Sequence, residues 1–141
     1  MISLTDTSVF VAAFDQDHPQ HPRSLAHFNK LARADAKCSA HTLAEVYSVL
    51  TRLPKPHRLS AEQAAFFVEQ ILERVEPIAL DANEYVATLR MAGQKGIPGG
   101  RVYDALHLAV ARKIGAEAIY TWDIDDFRAV ARDLAERIIE P

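Results

Sequence analysis

The sequence predicts an α/β domain with a central, mainly parallel sheet and helices on both of its faces, on three observations. Short apolar runs alternate with segments of helical periodicity along the whole chain. The stretch 101–123, RVYDALHLAVARKIGAEAIYTWD, reads as helix, tight turn and strand, which is half of a βαβ unit. Acidic residues recur just beyond the apolar runs, at the edge where open α/β sheets bind ligands.

Length and composition bound the class. At 141 residues, 49% hydrophobic and 25% charged, the chain has the size and balance of one globular domain spanning 1–141. Its single cysteine, Cys38, cannot form an internal disulfide. The first residues carry Asp6 in place of a basic then apolar leader, and no uncharged run approaches membrane-spanning length, so a soluble, cytoplasmic protein is expected. A net charge of -3 argues against a generic nucleic-acid-coating protein, yet it is compatible with an enzyme that has a basic rim around an acidic, metal-filled centre.

Taken in order, residues 1–5 form a strand candidate ending at Asp6, and 9–14 a brief helix with Asp6 or Ser8 near its start. Residues 15–22, DQDHPQHP, make a loop, followed by a helix over 23–34. His18, His21 and His27 match no four-ligand zinc spacing and take loop and capping roles. A second strand over 37–40 leads to a helix over 42–53, whose stripe is Leu43, Val46, Tyr47, Leu50 and Leu53. Glu45 falls in its first turn, off that stripe, on a face shared with Ser48, Val49 and Arg52. Arg52, Lys55, His57 and Arg58 then form a stiff basic connection around Pro54 and Pro56, either a solvated loop or a lip suited to a phosphate backbone.

Ser60 with Gln63, and Asp81 with Glu84, carry the capping-box spacing and open helices reaching about Arg74 and ending before Gly96. Phe66 and Phe67 widen the first helix's apolar face. Between them, 75–80 is a strand candidate whose Pro77 marks an edge. Gly99 and Gly100 lead into the organising helix, which ends at Gly115, and the strand 118–120 follows. A last helix over 125–135 and an edge strand over 137–139 complete the pattern.

Four acids then share one edge: Asp6 and Asp123 follow strands, while Glu45 and Asp104 begin helices beside them. Caps would explain some of them, since Asp104 suits a helix dipole and Asp123 with Asp126 has capping-box spacing. Sharing a site, four bare carboxylates would repel, and a hard divalent cation such as Mg²⁺ or Mn²⁺ resolves that conflict with oxygen ligands.

These residues resemble a known family. DTSVFVAAF, LAEVYSVLTR, YDALHLAVARKIGA and TWDIDDF are similar, in order and at family-like spacing, to the four motifs of PIN-domain ribonucleases, more narrowly the VapC-type toxins of bacterial toxin-antitoxin pairs. The resemblance covers almost the whole chain and implies a PIN-like three-layer α/β/α fold. It makes Asp6, Glu45, Asp104 and Asp123 the metal-binding, catalytic acids, with Thr121 and Asp126 supporting, and leaves His107 outside the set as a half-buried, hydrogen-bonded side chain. It implies endonucleolytic cleavage of single-stranded or loop RNA by water activated at Mg²⁺ or Mn²⁺, with Glu45 orienting or deprotonating that water. Arg52, Lys55, Arg58, Lys95 and Arg101 are the candidates for contacts to RNA. A cognate antitoxin and a homodimer are the partners it implies.

Other classes fit less well. A haloacid-dehalogenase-like phosphatase needs a second Asp where Ser8 stands, and a receiver domain needs an acidic pair where Thr7 stands. A catalytically silent PIN-fold interaction module is the non-enzyme alternative.

Overall fold

The computed structural model describes residues 1–141. Its five strands are β1 (Ser3–Thr5), β2 (Ala36–Ser39), β3 (Glu76–Ile78), β4 (Ala118–Tyr120) and β5 (Ile138–Ile139), ordered β3-β2-β1-β4-β5. Every neighbouring pair is parallel, and Ser3 of β1 lies opposite both Ala36 of β2 and Ala118 of β4. Side-chain alternation sends neighbouring positions to opposite faces. Leu4 and Ile119 enter one apolar cluster, and Ala36 and Cys38 the other.

Helices α1 (Thr7–Phe14), α2 (His21–Lys30), α3 (Ala40–Thr51) and α4 (Ala61–Arg74) cover one face, where Phe10, Phe28, Val46, Leu50 and Ile71 pack. On the other face lie α5 (Ala82–Lys95), α6 (Arg101–Ile114) and α7 (Ile124–Val130), with Leu108, Val110, Phe127 and Val130 inside. The result is the three-layer α/β/α arrangement expected, and Pro77 does sit in an edge strand. The strand order matters for function. The chain builds outward from β1 through β2 to β3, then crosses back to β4, which places a topological switch point between β1 and β4.

Local chemistry accounts for the boundaries. Both expected capping boxes form, Ser60 with Gln63 and Asp81 with Glu84. Gly115 ends α6 in the left-handed conformation, φ 63°, and its N–H returns to the carbonyls of Ala111 and Arg112. Three expectations are corrected. The helix expected over 23–34 begins at His21, because Pro22 is tolerated in a first turn, and stops at Lys30, where Leu31 turns extended to pack on the core. The helix expected from 42 begins at Ala40, since the Ser39 hydroxyl accepts from the His41 N–H, so Glu45 lies in the second turn and not the first. The helix expected over 125–135 divides: α7 ends at Val130, buried Ala131 leaves helical geometry with φ -136° and ψ 77°, and a 3₁₀ segment spans Arg132–Arg137. Arg128 holds that segment by donating to the carbonyls of Ala135 and Ile138.

Candidate active site

Asp6 follows β1 directly, and its backbone N–H donates to the Tyr120 carbonyl of β4 at 2.9 Å, which holds it at the switch point. Its side chain is almost fully buried. One carboxylate oxygen, Oδ2, accepts from the Thr121 hydroxyl at 3.0 Å and from the Ser8 N–H at 3.2 Å. Thr121 in turn accepts from the Asp123 N–H at 3.0 Å, and Ser8 Oγ accepts from the Trp122 N–H at 3.0 Å. Two short polar side chains therefore sew the end of β1 to the end of β4 and fix both aspartates.

Asp6, Glu45, Asp104 and Asp123 line one cleft of about 310 Å³, together with Thr7, Ser8, Val49 and Trp122. Burial pushes the Asp104 carboxyl up to about 7, and the charges of Asp6, Asp123 and Glu45 add to that effect while His107 partly relieves it. Burial, followed by Asp6 and Asp126, raises Asp123 as well. No three of these four carboxylates have oxygens within 4.8 Å of one another. The donors are all hard oxygens, mutually repelling and facing a common space, which fits Mg²⁺ or Mn²⁺ and not a softer metal.

Glu45 is held differently. His107 Nε2–H donates to its Oε1 at 2.5 Å, Thr7 Oγ1 donates to the same oxygen at 3.2 Å, and His41 Nε2 stands 3.9 Å away. Burial acts to raise the Glu45 carboxyl, but the His107 bond and charge, the His41 charge and the Thr7 bond outweigh it and keep the group below its ordinary value. For His107 burial acts to lower the imidazole, and Glu45, Asp6 and Asp104 prevail and raise it. The expectation of a half-buried His107 is corrected: it is 1% exposed, and its Nδ1 has no partner.

The remaining candidates scatter. Thr121 is in place beside Asp6. Asp123 makes no capping bond to α7, and Asp126 pairs with Arg101 at 3.0 Å, so the capping box read from their spacing does not form. Arg52 borders an adjoining cavity that shares Glu45 and Val49 with the acid cleft. The Arg58 Nε–H donates to the Leu53 carbonyl and braces the exposed connection that carries Lys55. Lys95 lines a separate depression with Lys113 and Asp133. Sequence reasoning passed over Thr7, Ser8 and His107 as site residues, and over His41 and Tyr103, whose rings stack at 4.9 Å. Among His, Asp and Glu, the one set with ligand atoms within 4.8 Å of one another is Asp15, Asp17 and His57, a surface group outside the cleft that joins the loop after α1 to the α3–α4 connection. Of the three histidines expected in loop and capping roles, His18 lies in the loop, its ring accepting from the Gln20 N–H, and it also lines the acid cleft. His21 bonds the Ala12 carbonyl from the first turn of α2, and His27 departs from the expectation, sitting inside α2 with its ring against Tyr120.

Comparison with known proteins now bears on this cleft. Residues 3–133 match the family described as PIN domain. The chain belongs to the PIN-domain family. It is 34% identical over 125 residues to Ribonuclease VapC40 of Mycobacterium tuberculosis, covering 89% of this chain and 87% of that protein. Two solved structures share the fold: the Sarcin-Ricin loop cleaving toxin VapC20 of Mycobacterium tuberculosis, and VapBC-1 of nontypeable Haemophilus influenzae. The first has a TM-score of 0.73 at 22% identity, covering 92% of this chain and 95% of that one. For the second the TM-score is 0.67 at 19% identity, with 99% and 98% covered. At such identities the likeness to the structures is one of fold.

Proposed function

We propose that this PIN-domain protein is a metal-dependent endoribonuclease that cuts single-stranded or loop RNA, and that it is the toxin of a toxin-antitoxin pair. The observation that carries the reading is the meeting of Asp6, Glu45, Asp104 and Asp123 in one cleft at the switch point of a parallel sheet. The curated relative named a ribonuclease supports the same activity.

In this reading Asp6, Asp104 and Asp123 hold the cation, and Thr121 and Ser8 fix Asp6 so that its other oxygen, Oδ1, is presented to the cleft. Bound there, Mg²⁺ or Mn²⁺ would supply the Lewis acidity that activates water and neutralises the phosphate. Glu45 closes the acidic set, and with its Oε1 held by His107 Nε2 and Thr7 Oγ1 it is fixed to orient the attacking water. Arg52, which borders the adjoining cavity, and Arg101, which precedes Asp104 by three residues and pairs with Asp126, would supply positive charge to the RNA backbone, with Lys55 and Arg58 as further candidates, while Lys95 lies in a separate depression.

The natural blocking device for such a cleft is an antitoxin side chain carrying positive charge, an Arg above all, inserted among the four acids. The exposed apolar side chains Val86 and Leu89 on α5 suit a homodimer contact. RNA as the substrate accords with action in the cytoplasm, and no helix is long and apolar enough to cross a membrane.

The decisive experiment is end analysis of the cleaved RNA. Water attacking phosphorus has no need of the 2'-hydroxyl, so the fragments carry 5'-phosphate and 3'-hydroxyl ends; cutting stops in EDTA, returns with Mg²⁺ or Mn²⁺, and is abolished by Asp6→Ala. Cyclic phosphate ends or undiminished cutting in EDTA would overturn the mechanism. Normal growth on strong induction of the protein alone, with a monomeric mass, would overturn the toxin assignment while leaving a nuclease standing.

A further inference from the structure

We propose that the stacked rings of His41 and Tyr103 form the platform on which one unpaired nucleobase of the RNA lies beside the acid cleft. This rests on the RNA-cleaving reading above and deepens it by assigning a base subsite.

Four observations converge on this place. The two rings lie nearly parallel, 11° apart with centroids at 4.9 Å, although they come from different helices, α3 and α6. Tyr103 is 44% exposed, so the pair is not part of either apolar cluster and presents aromatic surface to solvent. Both residues adjoin the acids: Tyr103 precedes Asp104 in the chain, and His41 Nε2 is 3.9 Å from Glu45 Oε1. Finally, the pair borders a cavity of about 450 Å³ that also touches Ser48, Val49 and Arg52, and that shares Glu45 and Val49 as lining with the acid cleft.

The chemistry of that cavity selects its occupant. An aromatic face offers stacking to any base, which is the sequence-tolerant contact that single-stranded RNA makes with proteins. Arg52 has neither a carboxylate nor a carbonyl partner, so its guanidinium is free for the backbone phosphate or the edge of the stacked base. The Ser48 hydroxyl adds a group that both donates and accepts. A duplex keeps its bases stacked on one another and offers none to such a platform, so the subsite also explains why unpaired RNA would be chosen.

The test combines substrate and protein changes. RNA oligonucleotides carrying a single abasic residue at each position in turn are cut by the wild-type protein and by Tyr103→Ala. One position close to the scissile bond should raise KM about ten-fold with kcat little changed. Tyr103→Ala should raise KM to the same extent on intact RNA, and the abasic residue should then cost nothing further. Tyr103→Trp should keep the wild-type KM. In a second arm that needs no cleavage, 2-aminopurine placed at that position, or walked along the oligonucleotide where no cutting occurs, should be quenched on binding to Asp104→Asn. The quenching should be lost when Tyr103→Ala or His41→Ala is added.

Each outcome is decisive. Cleavage with additive abasic and Tyr103→Ala effects at every position overturns the platform and leaves the nuclease reading intact. Quenching that depends on Tyr103 without any cutting sustains the platform and overturns the nuclease reading. Neither cutting nor quenching overturns both. Unchanged RNA kinetics with weakened antitoxin binding by Tyr103→Ala would show a peptide contact and overturn the platform.

Discussion

His107 Nε2 stands 2.5 Å from Glu45 Oε1, across the interior from helix α6 to helix α3, and it is also 3.9 Å from Asp6 Oδ1. Since the carboxylate accepts, the imidazole proton must lie on Nε2, which leaves Nδ1 buried without a partner. A buried polar atom left unpaired costs stability, so the arrangement is retained at some expense. What it achieves is a fixed Glu45, whose Oε1 would otherwise rest on Thr7 alone among hydrogen-bond donors.

His107→Leu should therefore fold with lowered stability and release Glu45, lowering kcat about ten-fold, roughly 1.4 kcal/mol, the scale of one hydrogen bond to a charged group. His107→Gln, whose amide N–H can reach the same oxygen, should recover most of that loss. Steady-state kinetics with a urea melt on each variant separates the two effects. Equal kcat in His107→Leu and wild type would mean that Glu45 needs no such anchor.

The raised Asp104 carboxyl makes a prediction about pH. Its folded value is about 7 against an ordinary 3.8, so between those values the native protein keeps a proton that the unfolded chain has released. Stability from this group is fully present below about 4 and is lost as pH rises through 7. The cleft is still reached by water, which screens the charges, so the loss should be on the order of 1–2 kcal/mol. His27 works the other way: burial, then Lys30, lowers it from 6.5 to about 4, so its contribution is complete above 6.5 and fades as pH falls toward 4. Only the comparison with Asp104→Asn isolates the first effect. In EDTA that variant should match or exceed wild-type stability at pH 8 and lie closer to it at pH 4, while binding Mn²⁺ more weakly. Thermal melts across pH measure this, and marked destabilisation of Asp104→Asn at pH 8 would sink the shared-repulsion account.

Thr121 offers a sharper probe of the seam between β1 and β4. It is fully buried and serves Asp6, the Asp123 N–H and Ser8 at once. Thr121→Val keeps the shape and removes every one of those bonds, and should destabilise by about 1–3 kcal/mol through the donors and acceptor left unpaired. Mn²⁺ affinity should fall with it, because Asp6 Oδ2 then keeps only the Ser8 N–H and is less firmly held. Calorimetric titration that finds affinity unchanged would show that Ser8 suffices to hold Asp6.

What the chain revealed before folding follows a physical division. Periodicity exposed the strands and helices because a buried stripe must repeat with the element's own pitch, and acids at strand ends were visible because the sheet's carboxyl edge is set by topology. Contacts between remote segments leave no such trace. Nothing in the spacing of His107 and Glu45, or of His41 and Tyr103, reports that α3 and α6 bring them together. Asp123 and Asp126 show the converse hazard: their spacing suits a capping box, yet Arg101, 25 residues before Asp126, claims its carboxylate. The final helix was overextended for a similar reason, since the buried, non-helical Ala131 is stabilised by its surroundings and not by its own propensity.

That Arg101–Asp126 pair makes the last prediction. Both side chains are about half exposed, so removing the pair should change stability by no more than about 0.5 kcal/mol. Its effect on RNA should be larger, because Arg101 opens the helix that carries Asp104 and is held by Asp126 away from other anions. Asp126→Ala frees the guanidinium and removes a negative charge that raises Asp123. KM for RNA should fall a few-fold at low salt, and the gain should vanish as added salt screens the exposed charges. Arg101→Ala should raise KM under the same conditions. If Asp126→Ala instead abolishes cleavage and weakens Mn²⁺ binding as strongly as Asp104→Asn, then Asp126 is a ligand of the cation, and its contact with Arg101 gives way when the metal binds.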